Sequence, residues 1–104
     1  MKPIHRRSGV IFDLAGLYAW IGDRDIEAAE RFLAAVEITF DQIRKQSGIG
    51  WERPWKNRDL RGLRSWRVEG FPNFLVFYRE EVSTIEVYAV LRGTRHLERE
   101  LQRR

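Results

Sequence analysis

Ser65-Trp66-Arg67-Val68-Glu69-Gly70-Phe71-Pro72-Asn73-Phe74-Leu75-Val76-Phe77-Tyr78 is the stretch on which the fold turns. Ser65 to Glu69 alternates in polarity, the period-2 pattern of a half-exposed strand. Gly70-Phe71-Pro72-Asn73 reads as the turn, with Pro72 already fixed in φ for it. Phe74 to Tyr78 is apolar at every position, which predicts a central strand covered on both faces. Downstream, Glu80-Glu81-Val82-Ser83 turns the chain again and Thr84 to Leu91, rich in β-branched and aromatic residues, reads as a third strand. Gly93 stops it, and His96 to Arg104 suits a short charged helix.

Upstream the period lengthens. Val10, Leu14, Leu17 and Ile21 step by four, three and four, with Ile11 and Tyr18 alongside, as one stripe of a helix. Ser8 is placed to cap it and Gly22 to end it. Asp23 and Asp25 stand where a second helix begins, and Glu27 and Glu30 suit the positive end of its dipole. Ala29, Phe32, Val36, Phe40 and Ile43 form its stripe, with Leu33 beside it, over Ile26 to Gln46. The short link makes the two an antiparallel hairpin. Ser47-Gly48-Ile49-Gly50 breaks the second helix, and Trp51 to Lys56 reads as an irregular loop. Residues 3 to 6 suit an edge strand, where Pro3 is tolerated. The expectation is a single α+β domain over residues 1–104. A helical hairpin packs on a small antiparallel sheet in the order β-α-α-β-β-β, with an N-terminal edge strand and a short C-terminal helix.

A chain of 104 residues, 43% hydrophobic, has material for one core. It has no cysteine, which removes disulfides, thiolate zinc sites and cysteine nucleophiles and fits a reducing compartment. His5 and His96, the two histidines, lie at opposite ends of the sequence, so a metal enzyme is not expected, nor any other cofactor. Neither a dinucleotide fingerprint nor a P-loop occurs; Gly48-Ile49-Gly50 follows a helix rather than a strand. Ser8, Ser47, Ser65 and Ser83 carry no triad signature. No window is apolar enough to span a membrane, and the basic start lacks the apolar run of a secretory signal, so the expected location is the cytoplasm.

The net charge of +4 is unevenly spread. Residues 8 to 41 hold seven acids against Arg24 and Arg31; residues 42 to 68 hold eight Lys and Arg against Glu52 and Asp59. A basic zone of this kind implies an acidic partner, nucleic acid or acidic peptide, unless it is simply a solvated face. Arg64, Arg67, Arg79, Arg92 and Arg95 stand on or beside the strands. Arg binds carboxylate or phosphate bidentately and is too weak an acid to serve as a general base. For Arg67 and Arg95 a structural or partner salt bridge competes with a phosphate contact. RNA cleavage also needs an acid and a base, for which His96 and Glu69 are the nearby candidates. Trp66, Phe74, Phe77 and Tyr78 read as core. Trp51 and Trp55, flanking Pro54, suit either stacking on bases or covering the end of the sheet.

Several of these segments resemble the RelE/ParE superfamily of bacterial toxins. They are Leu63-Arg64, the run from Val68 to Arg79, Ile85-Glu86-Val87, and Val90-Leu91-Arg92-Gly93-Thr94-Arg95-His96-Leu97. The Phe77-Tyr78-Arg79 run and the Gly93-x-Arg95-x-Leu97 closure are the most specific parts. Ala28 to Phe32 and Ile49-Gly50 extend the likeness over nearly the whole chain. The resemblance implies the toxin of a type II toxin–antitoxin pair, held inactive by an antitoxin whose acidic, partly disordered segment folds across it. For that partner it implies contacts with the sheet and helix-hairpin surface, where Arg79 and Arg92 would take acidic groups. RelE-like members cut messenger RNA on the ribosome; ParE-like members bind and poison DNA gyrase. By resemblance, Arg67 and Arg95 occupy two places of the nuclease's basic cluster, and His96 stands where a late histidine serves some nucleases. Leu75 takes the central-strand Arg position, and residues 97 to 104 hold no Tyr or His. The expectation is a gyrase-binding toxin, with a messenger-RNA endonuclease or a non-toxic antitoxin binder as the alternatives.

Overall fold

The computed structural model describes residues 1–93 and 96–103. Strand β1 (Ile4–Arg6) leads into helices α1 (Gly9–Gly22) and α2 (Ile26–Lys45). Strands β2 (Trp51–Glu52), β3 (Arg64–Val68), β4 (Phe71–Glu80) and β5 (Ile85–Arg92) follow, then helix α3 (Leu97–Gln102). Single 3-10 turns sit at Ser47–Ile49 and Arg58–Leu60. One five-stranded sheet results, ordered β1-β5-β4-β3-β2.

The α+β architecture matches the expectation, with two refinements at the edges. β1 joins β5 in parallel (Ile4 opposite Ile85), so the sheet is mixed rather than antiparallel throughout. Trp51-Glu52, expected to be irregular, pairs antiparallel with Ser65 and Arg64 as a short opposite edge.

The hairpin between β3 and β4 is tighter than the sequence implied. Val68 pairs with Phe71, leaving Glu69-Gly70 as a two-residue turn, and Gly70 has φ +77°, which a side chain would disfavour. Phe71, Pro72 and Asn73 therefore belong to β4. The register jumps from Arg67–Leu75 to Val68–Phe71, and Pro72 lies in that irregularity, where its missing N–H interrupts no regular ladder. Thr39 of α2 ties this corner down: its buried hydroxyl donates to the Ala35 carbonyl (2.7 Å) and accepts from the Glu69 amide (2.9 Å).

Helix starts differ as their capping chemistry does. Asp25 is extended and its carboxylate accepts from the Glu27 and Ala28 amides, as an N-cap should. Ser8, expected to cap α1, makes no such bond. Its backbone is already helical (φ −58°, ψ −28°), so its hydroxyl does not reach the first-turn amides.

The sheet carries packing on both faces, as the unbroken apolar run of β4 implies. On one face Phe32, Val36, Phe40 and Ile43 of α2 and Val10 and Ile21 of α1 pack with Val76, Tyr78, Val87 and Val90. On the other, Leu60, Leu63, Leu97 and Leu101 enclose Phe77 and Ala89. Between Val87 and Ala89 a bulge places Tyr88 beside this second core, its hydroxyl donating to the Leu101 carbonyl at 3.2 Å.

Candidate functional site

α1 is the helix whose outside does not look like an outside. From Gly9 to Gly22 it carries one charge, Asp13, whose carboxylate accepts the Val90 amide of β5 at 3.1 Å. Ile11 and Phe12 are 69% and 75% exposed, and Trp20 is exposed about two turns further along. Ala15, Gly16 and Ala19 between them are exposed too, and a methyl built on Gly16 would meet nothing within 4 Å. Such a contiguous apolar face is what a soluble chain shows where a partner docks. At its far end Trp20 has two guanidinium neighbours, Arg24 at 4.2 Å and Arg92 at 4.7 Å from the ring centroid, and its ring meets Phe74 edge-on at 6.3 Å. Of the two Arg expected to face an acidic partner, Arg92 thus stands exposed on this rim.

Arg79 has a different setting. Its Nε donates to the Arg61 carbonyl (3.1 Å) and its Nη2 to the Asp59 carbonyl (2.8 Å), bracing the loop ahead of β3. That loop is fixed elsewhere as well. The Asn57 amide donates to Glu98 (2.7 Å), the Gly62 amide to Glu52 (3.1 Å), and the Trp55 indole to the Leu63 carbonyl (3.0 Å). Trp55, half-buried against Phe77, covers the sheet; Trp51 is 68% exposed. Of the two alternatives for this tryptophan pair, covering applies to Trp55 and leaves Trp51 open to solvent.

The sheet face opposite the helical hairpin is where a nucleolytic cluster would sit. There Arg67 of β3 pairs with Leu75 of β4, and Leu75 with Leu91 of β5, so one row across three strands reads Arg, Leu, Leu. Arg67 is exposed; its guanidinium lies 5.3 Å from the Trp66 ring and, among the described residues, has no acidic partner. His96 is exposed at the start of α3, its carbonyl accepting the Glu100 amide. Arg95 lies outside the described residues. Glu69 is exposed at the hairpin turn, where its amide is held by Thr39. Among the described residues no group of His, Asp or Glu is arranged to hold a metal ion.

Two hydroxyls are shifted from their ordinary acidity. Burial pushes the Tyr78 phenol up, partly offset by the bond it accepts from the Gly50 amide. The bond to Glu30 raises the phenol of Tyr18. Neither belongs to the Arg67 row. The residues the sequence reading passed over are those on the outside of α1. The signal was available: fourteen residues with one charge leave no polar side for solvent.

A family model described as the ParE toxin of the parDE type II toxin–antitoxin system matches residues 9–97. The chain belongs to the ParE toxin family. The match runs from the first residue of α1 to the first of α3, so both helices and strands β2 to β5 of this ParE-family toxin lie within it. The fold is similar to that of a solved chain of the chromosomal ParDE toxin–antitoxin system from P. aeruginosa. The TM-score is 0.71 at 17% identity, over 90% of this chain and 98% of that one. No curated protein matches the chain in sequence. No helix among the described residues is long and apolar enough to cross a membrane.

Proposed function

We propose that this ParE-family toxin acts by binding DNA gyrase rather than by cutting RNA, and that a cognate antitoxin silences it by covering α1. The observation carrying the choice of target is the Arg67–Leu75–Leu91 row. Cleavage of a phosphodiester needs a base for the attacking hydroxyl, an acid for the leaving oxygen and cations for the developing charge. Two of the three positions in this row are aliphatic, so among the described residues the row supplies a single cation and no proton-transfer group. A protein that inhibits by binding needs none of these.

For the antitoxin, the support is the uncharged outer face of α1 with Arg24 and Arg92 at its rim. An amphipathic segment with apolar anchors for Ile11, Phe12 and Trp20 and carboxylates at one end fits both features. Arg guanidiniums stacked on an indole still present their edges to a carboxylate. Arg79 retains its Nη1 donors for an acidic group while it braces the loop.

The deciding experiment is supercoiling of relaxed plasmid by gyrase with increasing purified toxin, with and without antitoxin. Loss of supercoiling or accumulation of cleaved plasmid, reversed by the antitoxin, is the expected result. Full supercoiling at large excess of folded toxin, with messenger RNA cut on purified ribosomes, would overturn it. Arg67→Ala and His96→Ala are expected to leave gyrase inhibition unchanged.

A further inference from the structure

The basic zone of the sequence, residues 42 to 68, includes the loop between β2 and β3. Four cations elsewhere are paired: Lys2 with Glu80, Arg6 with Glu37, and Arg44 and Lys45 with Asp41. None of the ion pairs among the described residues involves the loop between β2 and β3. The acids that could have served it are committed to backbone, Glu52 to the Gly62 amide and Glu98 to the Asn57 amide. Asp59 is the one carboxylate left in the loop. Lys56, Arg58 and Arg61 are exposed and, among the described residues, have no side-chain partner; Arg67 on β3 has only the Trp66 ring.

These cations stand on a stiff base. Arg58 opens the 3-10 turn Arg58–Leu60 and Arg61 follows it. The Arg61 amide donates to the Arg58 carbonyl at 3.2 Å, closing the turn, and Leu60 between them is buried. Arg79 holds the carbonyls of Asp59 and Arg61 from beneath, and Trp55 and Asn57 are tied to Leu63 and Glu98. A loop so braced presents charge without paying much ordering entropy on contact.

From this geometry we infer that the β2–β3 loop, with Arg67, is a binding surface for the phosphate backbone of duplex DNA. Unpaired Lys and Arg on a rigid support suit the phosphates of a duplex, and their gain comes from counterion release. Single-stranded binding would ask for a row of stacking aromatics. Here Trp51 is exposed, whereas Trp55 lies half-buried against Phe77. A folding acidic peptide would ask for apolar anchors beside the charge, and those lie on α1 instead.

The test is fluorescence anisotropy of a labelled DNA duplex of mixed sequence with purified toxin, no gyrase present, at salt between about 50 and 200 mM. Four phosphate contacts give a slope of about −3.6 in log affinity against log salt, roughly a hundredfold loss across that range. Lys56→Ala, Arg58→Ala and Arg61→Ala together are expected to bring the slope to about −1 with unchanged thermal unfolding. Arg58→Lys with Arg61→Lys should keep it. The inference is overturned by absent binding at the lowest salt, by a triple variant that binds as well as the parent, or by tighter binding of single-stranded RNA or of a polyglutamate peptide than of the duplex. Since gyrase takes no part, loss of the gyrase reading leaves this result standing on its own.

Discussion

Gly50 lies under the Tyr78 ring so closely that a methyl group there would sit 2.5 Å from the phenol oxygen and 2.7 Å from Cε1. The closeness is used: the Gly50 amide donates to the phenol at 2.7 Å, and the phenol donates to the Ser47 carbonyl at 2.6 Å. One side chain in β4 thereby closes off the backbone at the end of α2. Gly50→Ala is expected to cost about 1–3 kcal/mol through overpacking. Tyr78→Phe should cost a similar amount, about 1–3 kcal/mol, by leaving both backbone groups without their partner. Either would lower the melting temperature by about 5 °C or more, read by circular dichroism. Tyr78 was legible as core from the apolar run around it, but its bonds were not, since they join segments about thirty residues apart and only the folded register brings them together.

At the scale of the element, α1 is held by few buried residues, Val10 and Ile21, and its remaining apolar side chains face outward or lie half-covered. Phe12→Lys should therefore leave stability within about 0.5 kcal/mol, as surface changes do. It should weaken antitoxin binding at least tenfold, about 1.4 kcal/mol, because a charge would enter the proposed apolar contact. Calorimetric titration of toxin with antitoxin gives that number, and an unchanged affinity would remove α1 from the interface. The helical stripes of both helices, the strand periods and the two-sided burial of β4 could all be read from residue order. The stripe gave the inward side of α1, but no change of polarity marks where its apolar outer side begins, and Ile11, placed beside the stripe, is exposed. The turn before β4 was misplaced for a related reason. Pro72 and Gly70 are both turn formers, and only the positive φ at position 70 separates them. Among the site residues, Arg92 is exposed at the end of β5 beside Trp20, whereas the bracing bonds of Arg79 depend on a loop conformation with no periodic signature.

Across the whole molecule, a few titrating groups make stability depend on pH. Lys45 and Arg44 hold the Asp41 carboxyl below its ordinary range, and Lys2 and Ser47 do so for Glu80. The fold favours their ionised forms, so their contribution is complete above the ordinary carboxylate pKa of about 4 and disappears as pH falls through the lowered values. Tyr78 works at the other limit: its phenol is favoured uncharged, so its contribution holds below about pH 10 and is lost as pH rises through the raised value. Melting temperature against pH should show both losses, with Glu80→Gln flattening the acid side and Tyr78→Phe the alkaline side. Sheet order carries one more consequence, which concerns time. β5, the last strand made, lies between β1, the first, and β4. During synthesis β1 has no strand to join until β5 has been made, whereas α1 and α2 are adjacent and can meet early. The pairing of β1 with β5 thus has to follow the helical hairpin that comes directly after β1 in the chain.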